Sequence, residues 1–299
     1  MTQILQHSLF KAFSKQNRLS FLGVGDSISA LLATRSGASA LWASSLCVST
    51  SLGLRDASEL TLAELSRVVS LMRDQTHLPI LVDGDSGYGE NHVTLRLCKE
   101  LFRSGASGIC LEDKPFPKIN SHFGRKPEIV DLGSFCDKLD CIKQSLSKDF
   151  FLVARTEAFV ANKSVEEGLH RCEAYVEAGA DAIVFTLRTL DEDLLKRFSK
   201  KWVLGHEEPL LFIPPPSAQI KSETIFNWGY RGLIWANQSM RSALRTFEET
   251  CRQLLREGNS PQLEESCLSM NQLFEYLRYP DIEGLNQTDW KSKYKKQVS

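Results

Sequence analysis

The chain has almost no net charge. Lys and Arg total 36 against 37 Asp and Glu, a formal balance of −1. With the two signs mixed along the sequence, the basic footprint of a nucleic-acid-binding surface is excluded. The single basic run, Lys291-Ser292-Lys293-Tyr294-Lys295-Lys296, reads as a solvated terminus. Long apolar runs are also missing, so no segment is expected to span a membrane. Residues 1–16 lack the basic stretch, apolar block and small-residue cleavage site of a secretory signal. The eight cysteines are scattered without a C-x-x-C pair, and the six histidines form no zinc pattern with them. Reduced thiols in a cytoplasmic protein are the expectation. A dinucleotide fingerprint is absent too. Gly23-Val24-Gly25-Asp26-Ser27 lacks its third glycine, and Gly84, Gly87 and Gly89 sit in an acidic loop that would repel a pyrophosphate.

What is present is a repeating alternation. Short apolar runs occur at 19–24, 40–43, 80–82, 107–111, 150–154, 182–185, 210–213 and 232–235. Helical spacing follows each, as at 27–35, 61–76, 92–104, 132–147, 164–178, 191–200, 218–228 and 239–256. Strands alternating with helices imply a parallel sheet. Eight such units in 299 residues predict an α/β fold of the (β/α)8 TIM-barrel type. One barrel domain is expected over residues 1–299, with a helical extension from about 239. The extension includes an amphipathic helix over 262–277 and ends in a loose polar tail after 280. Helices beyond the eighth unit often pack on a neighbouring subunit, so a homo-oligomer is expected.

In such barrels chemistry gathers at the C-terminal ends of the strands. There the sequence places Trp42-Ala43-Ser44-Ser45-Leu46, Arg55-Asp56, Asp83-Gly84-Asp85, Glu112-Asp113-Lys114 and Arg155. Asp56, Asp83, Asp85 and Glu112 would repel one another at one mouth unless a cation joined them, and carboxylate oxygens suit magnesium. Asp-x-Asp in extended backbone puts both side chains on one face. Plainer readings stand beside these. Asp83 and Asp85 can cap the next helix, Arg155 can serve a structural ion pair, and Trp42 can be core. Gly87 and Gly89 serve the backbone turn, and Cys47 is packing.

These residues resemble the isocitrate lyase/phosphoenolpyruvate mutase superfamily, and within it the mutase branch. The resemblance spans about Leu19 to Leu277. Its pieces are Gly23-Val24-Gly25-Asp26-Ser27-Ile28-Ser29-Ala30, Leu52-Gly53-Leu54-Arg55-Asp56, Asp83 to Gly89, Glu112-Asp113-Lys114 followed five residues later by Asn120-Ser121, and Ile234-Trp235-Ala236-Asn237. The superfamily's carbon–carbon lyases carry a cysteine in the loop after the fourth strand. This chain has none between Glu112 and Gly124.

The resemblance implies a barrel whose eighth helix is exchanged between subunits in a dimer of dimers. It implies Mg2+ at Asp83, with Asp56, Asp85 and Glu112 acting through waters. Trp42, Ser44, Ser45 and Leu46 would line the substrate pocket, with backbone amides on a carboxylate. Arg155 would reach the substrate anion, and Lys118, Asn120 and Ser121 would lie on a gating loop. The implied reaction interconverts phosphoenolpyruvate and phosphonopyruvate, with Asp56, Lys118, Asn120 and Arg155 as the catalytic set. Two positions depart from the family. Thr186 stands where mutases usually carry a histidine, and Ser45 where relatives often have glycine. Thr186 is expected to donate a hydrogen bond and Arg188 a positive charge to the phosphoryl group. Alternatively, Arg188 pairs with an acid on the following helix. Rival functions are phosphonopyruvate hydrolase, a lyase or decarboxylase of 2-oxo or 2-hydroxy acids, and a non-catalytic anion-binding barrel.

Overall fold

The computed structural model describes residues 8–118, 120, 128–216, 218–258 and 261–286. The chain opens with α1 (Leu9–Lys15), β1 (Leu19–Val24), α2 (Ser27–Arg35), β2 (Ala40–Ala43), α3 (Ser45–Ser51) and α4 (Leu62–Arg73). It continues through β3 (Ile80–Asp83), α5 (Asn91–Arg103), β4 (Gly108–Glu112), α6 (Leu132–Ser145), β5 (Phe151–Thr156) and α7 (Val165–Glu177). Next come β6 (Ala182–Thr186), α8 (Glu192–Gly205), β7 (Leu210–Ile213), α9 (Ser222–Asn227) and β8 (Gly232–Trp235). The helices α10 (Gln238–Glu257), α11 (Pro261–Ser266), α12 (Met270–Tyr276) and α13 (Tyr279–Asn286) follow. The strands close in sequential order into a parallel barrel, β1 pairing with β8. The expected α/β TIM-type architecture is therefore observed.

Local chemistry marks the helix starts. Asp26 and Ser29 form a reciprocal capping box on α2, as Thr61 and Glu64 do on α4. The barrel also needs close strand approach. A Cβ on Gly23 would lie 1.9 Å from the carbonyl oxygen of Ala236, so only glycine fits where β1 meets the end of β8.

Two apolar layers hold the barrel. Outside the strands, Leu65, Leu97, Leu139, Tyr175 and Phe198 from the helices pack on outward strand residues such as Val82, Ile109 and Phe185. Inside, Phe21, Leu81, Phe151, Val153, Val184 and Ile234 fill the centre. The helix α1, absent from the sequence reading, joins this inner cluster through Leu9 and Phe13. The Phe13 ring stacks on Phe151 at 5.6 Å, and Arg231 Nη2 donates to the Phe13 carbonyl at 2.9 Å.

Several strands run further than their apolar runs. Asp83, Glu112, Arg155, Thr156 and Thr186 are strand residues, because pairing does not require apolar side chains. Glu112, for instance, is in register with Arg155.

The chain divides into two compact units, Met1–Ser242 and Ala243–Ser299. In the second, the expected helix over 262–277 is broken in two. Cys267 N bonds back to Leu263 and Glu264, and Ser269 starts α12 with its own capping box. Past residue 280 the chain is still helical, as α13, and residues 287–299 lie outside the described residues. Among the described residues no helix is long and apolar enough to cross a membrane. All eight cysteines are free thiols.

Candidate active site

A cavity of about 280 Å3 opens at the C-terminal ends of the strands. Trp42, Ser44, Ser45, Leu46, Asp56, Asp83, Lys118, Asn120, Arg155 and Thr186 all line it. The turn after β2 delivers the first four. Ser44 caps α3 through the amide of Cys47, leaving Ser45 and Leu46 as the opening residues, whose amides have no intrahelical acceptor. The Ser45 amide lies 3.4 Å and its hydroxyl 3.0 Å from Asp83 Oδ2, both donating.

The cation that joins the acids within the chain is a lysine, and part of the repulsion expected from sequence persists at Asp85. Lys118 is 5% exposed, and its ammonium lies among them. Its Nζ donates to Asp85 Oδ1 at 2.6 Å, Asp56 Oδ1 at 2.7 Å and Ser45 Oγ at 3.0 Å. Asn120 Nδ2 donates to Asp56 Oδ2 at 2.5 Å. As these side chains stand, no three His, Cys, Asp or Glu among the described residues converge to hold a metal. Burial works against a charged Asp56, but the Lys118 charge and hydrogen bond overcome it and hold its carboxyl below the usual range. At Asp85 burial wins over the same ammonium, with Asp83 and Asp56 adding repulsion, and its pKa is pushed up to about 6. Burial also opposes the Lys118 charge, yet Asp85 and Asp56 raise its pKa well above that of an ordinary lysine.

Asp83 lines the cavity, whereas Asp85 meets it only through Lys118 and is not placed by strand alternation. Asp85 lies past the end of β3 with φ +50°, a left-handed conformation that a non-glycine residue rarely adopts. Its loop is anchored from two sides. Lys138 Nζ on α6 donates to the carbonyls of Ser86 and Gly89 at 2.8 and 2.9 Å, and the Glu112 amide donates to that of Asp85 at 2.9 Å.

Beneath this layer lies a second charged set. Glu112 faces Arg155 Nη1 at 3.5 Å and Lys114 Nζ at 3.9 Å. Neither of its buried carboxylate oxygens has a hydrogen-bond partner among the described residues. Burial, against the pull of Arg155 and Lys114, lifts its pKa to about 7. Glu157, fully buried, pairs with Arg155 Nη2 and lies 3.6 Å from Lys114. The sequence reading passed over Glu157, although its spacing of two from Arg155 was the available signal. It gave Lys114 no role in the site either.

Asp113, between Glu112 and Lys114, turns the other way. Burial raises its carboxyl pKa. It accepts bonds from Thr156 Oγ1, the Glu157 amide and Tyr175 OH at 2.9, 2.8 and 2.7 Å. Its carbonyl accepts from the Val130 amide at 2.9 Å, and Arg171 Nη1 donates to the Val130 carbonyl at 3.2 Å.

The remaining expected residues separate. Thr186 lines the cavity, but its hydroxyl donates to the Ile213 carbonyl at 2.9 Å. Arg188 is exposed and is not part of the lining, because the strand ends at Thr186 and the shared face ends with it. Ser121 lies outside the described residues. Cys47 is buried beside the site, and burial pushes its thiol up to about 11, which fits a packing role.

A sequence model of the phosphoenolpyruvate phosphomutase family matches residues 10–255. The chain belongs to that family. It is 36% identical over 264 residues to phosphoenolpyruvate phosphomutase of Streptomyces hygroscopicus, covering 88% of this chain and 84% of the relative. Against the phosphoenolpyruvate phosphomutase of Tetrahymena pyriformis the identity is 34%, over 88% of this chain and 87% of the relative. The crystal structure of phosphoenolpyruvate phosphomutase from Streptomyces platensis subsp. rosaceus superposes with a TM-score of 0.90 at 26% identity, covering 96% of this chain and 99% of that one. Phosphonopyruvate hydrolase of Variovorax is a more distant relative of this chain, at 28% identity.

Proposed function

We propose that this chain is a magnesium-dependent phosphoenolpyruvate mutase. The reaction is an isomerisation. The bond between the enol oxygen and phosphorus breaks, leaving its electron pair on the enolate oxygen. The methylene carbon then attacks phosphorus and gives 3-phosphonopyruvate, so no atom is gained or lost. This is the carbon–phosphorus bond-forming step of phosphonate biosynthesis.

One observation carries this reading: Lys118, Asn120 and Arg155 share a single strand-end cavity with Asp56 and Asp83. A loose phosphoryl-transfer transition state depends on positioning and charge more than on covalent help. Arg155 presents a planar donor fork to the anion, held in place by Glu112 and Glu157. At the opening of α3 Leu46 offers its backbone amide to the substrate carboxylate, and the Ser45 amide adds to it on leaving its long 3.4 Å contact with Asp83 Oδ2. Lys118 and Asn120 form the wall that keeps water from the migrating group.

The donor set fits magnesium. It is made of carboxylate oxygens, and the buried Glu112 has neither oxygen hydrogen-bonded among the described residues. Asp83, Asp85 and Glu112 would hold the ion, with Asp56 beside them. When bound, it supplies positive charge to the enolate oxygen.

The decisive experiment incubates purified protein with phosphonopyruvate and magnesium and follows products by phosphorus NMR. Phosphoenolpyruvate should form with little inorganic phosphate, and chelator should abolish the reaction. Pyruvate and phosphate as main products would replace this reading with the hydrolase.

The protein is further proposed to be a cytoplasmic homo-oligomer, a dimer of dimers with exchanged eighth helices. Its support is the apolar stripe along α10, where Phe247 is 72% and Leu255 88% exposed. Light scattering should give four times the chain mass of 33.7 kDa.

A further inference from the structure

The charged set beneath the cavity has a support on its far side. Glu112, Lys114, Arg155 and Glu157 pair with one another. Asp113 stands among them in sequence, yet its fully buried carboxylate has other partners, which reach it from α7 and from the end of β5. From α7, Tyr175 OH donates to Oδ2 at 2.7 Å, and Arg171 Nη1 lies 3.6 Å from the same oxygen. Arg171 also donates to the Tyr175 hydroxyl oxygen at 3.2 Å, which leaves the hydroxyl hydrogen for Asp113. The Tyr175 ring is itself fixed edge-on to Phe135 at 4.8 Å. From β5, Thr156 Oγ1 donates to Oδ2 at 2.9 Å, and the Glu157 amide donates to Oδ1 at 2.8 Å.

The sheet is joined without this grip. β4 and β5 pair in register from Gly108 and Phe151 to Glu112 and Arg155, and the Asp113 amide extends the ladder to the Arg155 carbonyl at 3.1 Å. A buried carboxylate opposes folding unless its bonds offset the loss of water, and an apolar residue would pack there without that burden. What the side chain adds lies one residue past the strand. β5 ends at Thr156, and Glu157 leads into the turn that follows, where Asp113 Oδ1 holds its amide. Thr156 is locked by the same contact, since its hydroxyl donates to Asp113 and accepts from the Ala158 amide at 3.2 Å. The Glu157 carboxylate pairs with Arg155 Nη2 and lies 3.6 Å from Lys114. An arginine fork sits on a long flexible stem, so its direction is set by the carboxylate it pairs with. Glu157 can aim Arg155 only as firmly as its own backbone is fixed.

We infer that Asp113 is a positioning residue for Arg155. Braced by Tyr175 and Arg171 on α7, it fixes the backbone of Glu157 just beyond β5, and the Glu157 carboxylate then aims the Arg155 guanidinium at the substrate anion. The inference rests on the proposed role of Arg155 and adds the residues that act through it.

The test is a double-mutant cycle on the intact magnesium-loaded protein, read as kcat/KM for consumption of phosphonopyruvate. Asp113→Ser removes the grip, Arg155→Lys removes the guanidinium fork, and a third variant carries both changes. Alone, Asp113→Ser should lower kcat/KM per folded molecule at least about ten-fold, the worth of one charged hydrogen bond. Asp113→Asn keeps an acceptor for the Glu157 amide and should recover most of the loss. In the Arg155→Lys background, Asp113→Ser should cost less than about two-fold, because no fork is left to aim. A merely structural Asp113 would give the same loss in both backgrounds. That result, or unchanged kcat/KM in Asp113→Ser, overturns the inference. If Asp113→Ser does not fold, Thr156→Val with Tyr175→Phe takes both hydroxyls off Oδ2 at nearly constant volume. That pair runs through the same cycle and is judged by the same outcomes. Phosphorus NMR identifies the products alongside. Pyruvate and phosphate would overturn the mutase reading and leave the cycle to decide the inference. Phosphoenolpyruvate with equal losses in both backgrounds would sink the inference alone. If wild type consumes no phosphonopyruvate, both fail.

Discussion

The two ends of the barrel are made of opposite materials. At the N-terminal end, Leu9 and Phe13 of α1 close the interior against Phe21 and Phe151, and Phe10 meets Phe151 edge-on at 4.7 Å. At the C-terminal end, buried carboxylates, lysines and an arginine face a cavity. One end earns its stability from burial. The other keeps groups whose desolvation costs free energy, compensated only in part by one another. The contrast teaches that a strand can serve both ends, because its apolar residues fix register and leave the last residues free for chemistry.

The sharpest way to break this contrast is Asp83→Ala. Turnover should fall on the order of a thousand-fold or more, through loss of transition-state charge stabilisation. The melting temperature should hold, as a buried carboxylate among others is removed. An unfolded variant would mean the charged end is structural after all. The converse change is Phe13→Ala. It should cost about 3–5 kcal/mol in denaturant unfolding, as a large aromatic lost from a core does. Turnover per folded molecule should stay the same. Lys118→Ala comes next, with turnover down about ten- to a hundred-fold, the range of charge-assisted hydrogen bonds. More phosphate should appear per turnover, and phosphorus NMR reads both quantities.

A milder test uses pH with chelator present. Burial lifts Glu112 from 4.5 to about 7, so between those values the folded state binds more protons than the unfolded one. Stability must then fall as pH rises through that window. The melting temperature should be higher at pH 5.5 than at pH 8, and Glu112→Gln should flatten the difference. A steeper profile in Glu112→Gln would assign the slope to another group. The smallest effect is expected at Arg188. Exposed and outside the lining, Arg188→Ala should alter stability by no more than about 0.5 kcal/mol. Its turnover should stay within about two-fold of wild type.

Much of the fold was readable because the strands are apolar on both faces and the helices are periodic. The runs at 19–24, 40–43, 210–213 and 232–235 coincide with β1, β2, β7 and β8. What escaped has physical reasons. The reading missed α1 because it is short and its plugging role depends on distant Phe151. It missed α3 because Ser45–Ser51 has little helical periodicity and is held by its Ser44 cap. At the site, strand-end acids stood out by type and spacing. The counter-charge supplied by Lys118 did not, since it depends on a contact between residues 33 apart. Asp85 and Arg188 were placed by extended-strand alternation, which stops where β3 and β6 stop. Asn237, Gln238 and Arg241, which also line the cavity, lay in a quoted motif and just beyond it.

Asp113 carries a consequence for how this family can vary. Its carbonyl meets the Val130 amide, and Arg171 secures the Val130 carbonyl, so the chain leaving at Lys114 returns to a point fixed on the scaffold. In polymer terms the intervening stretch is a ring whose ends are already joined. Ring closure becomes dearer only slowly with contour length, about 0.6 kcal/mol for each doubling. Insertions or deletions between the two anchors are thus nearly invisible to the eight strands, whereas any that displace Lys118 or Asn120 dismantle the cavity wall.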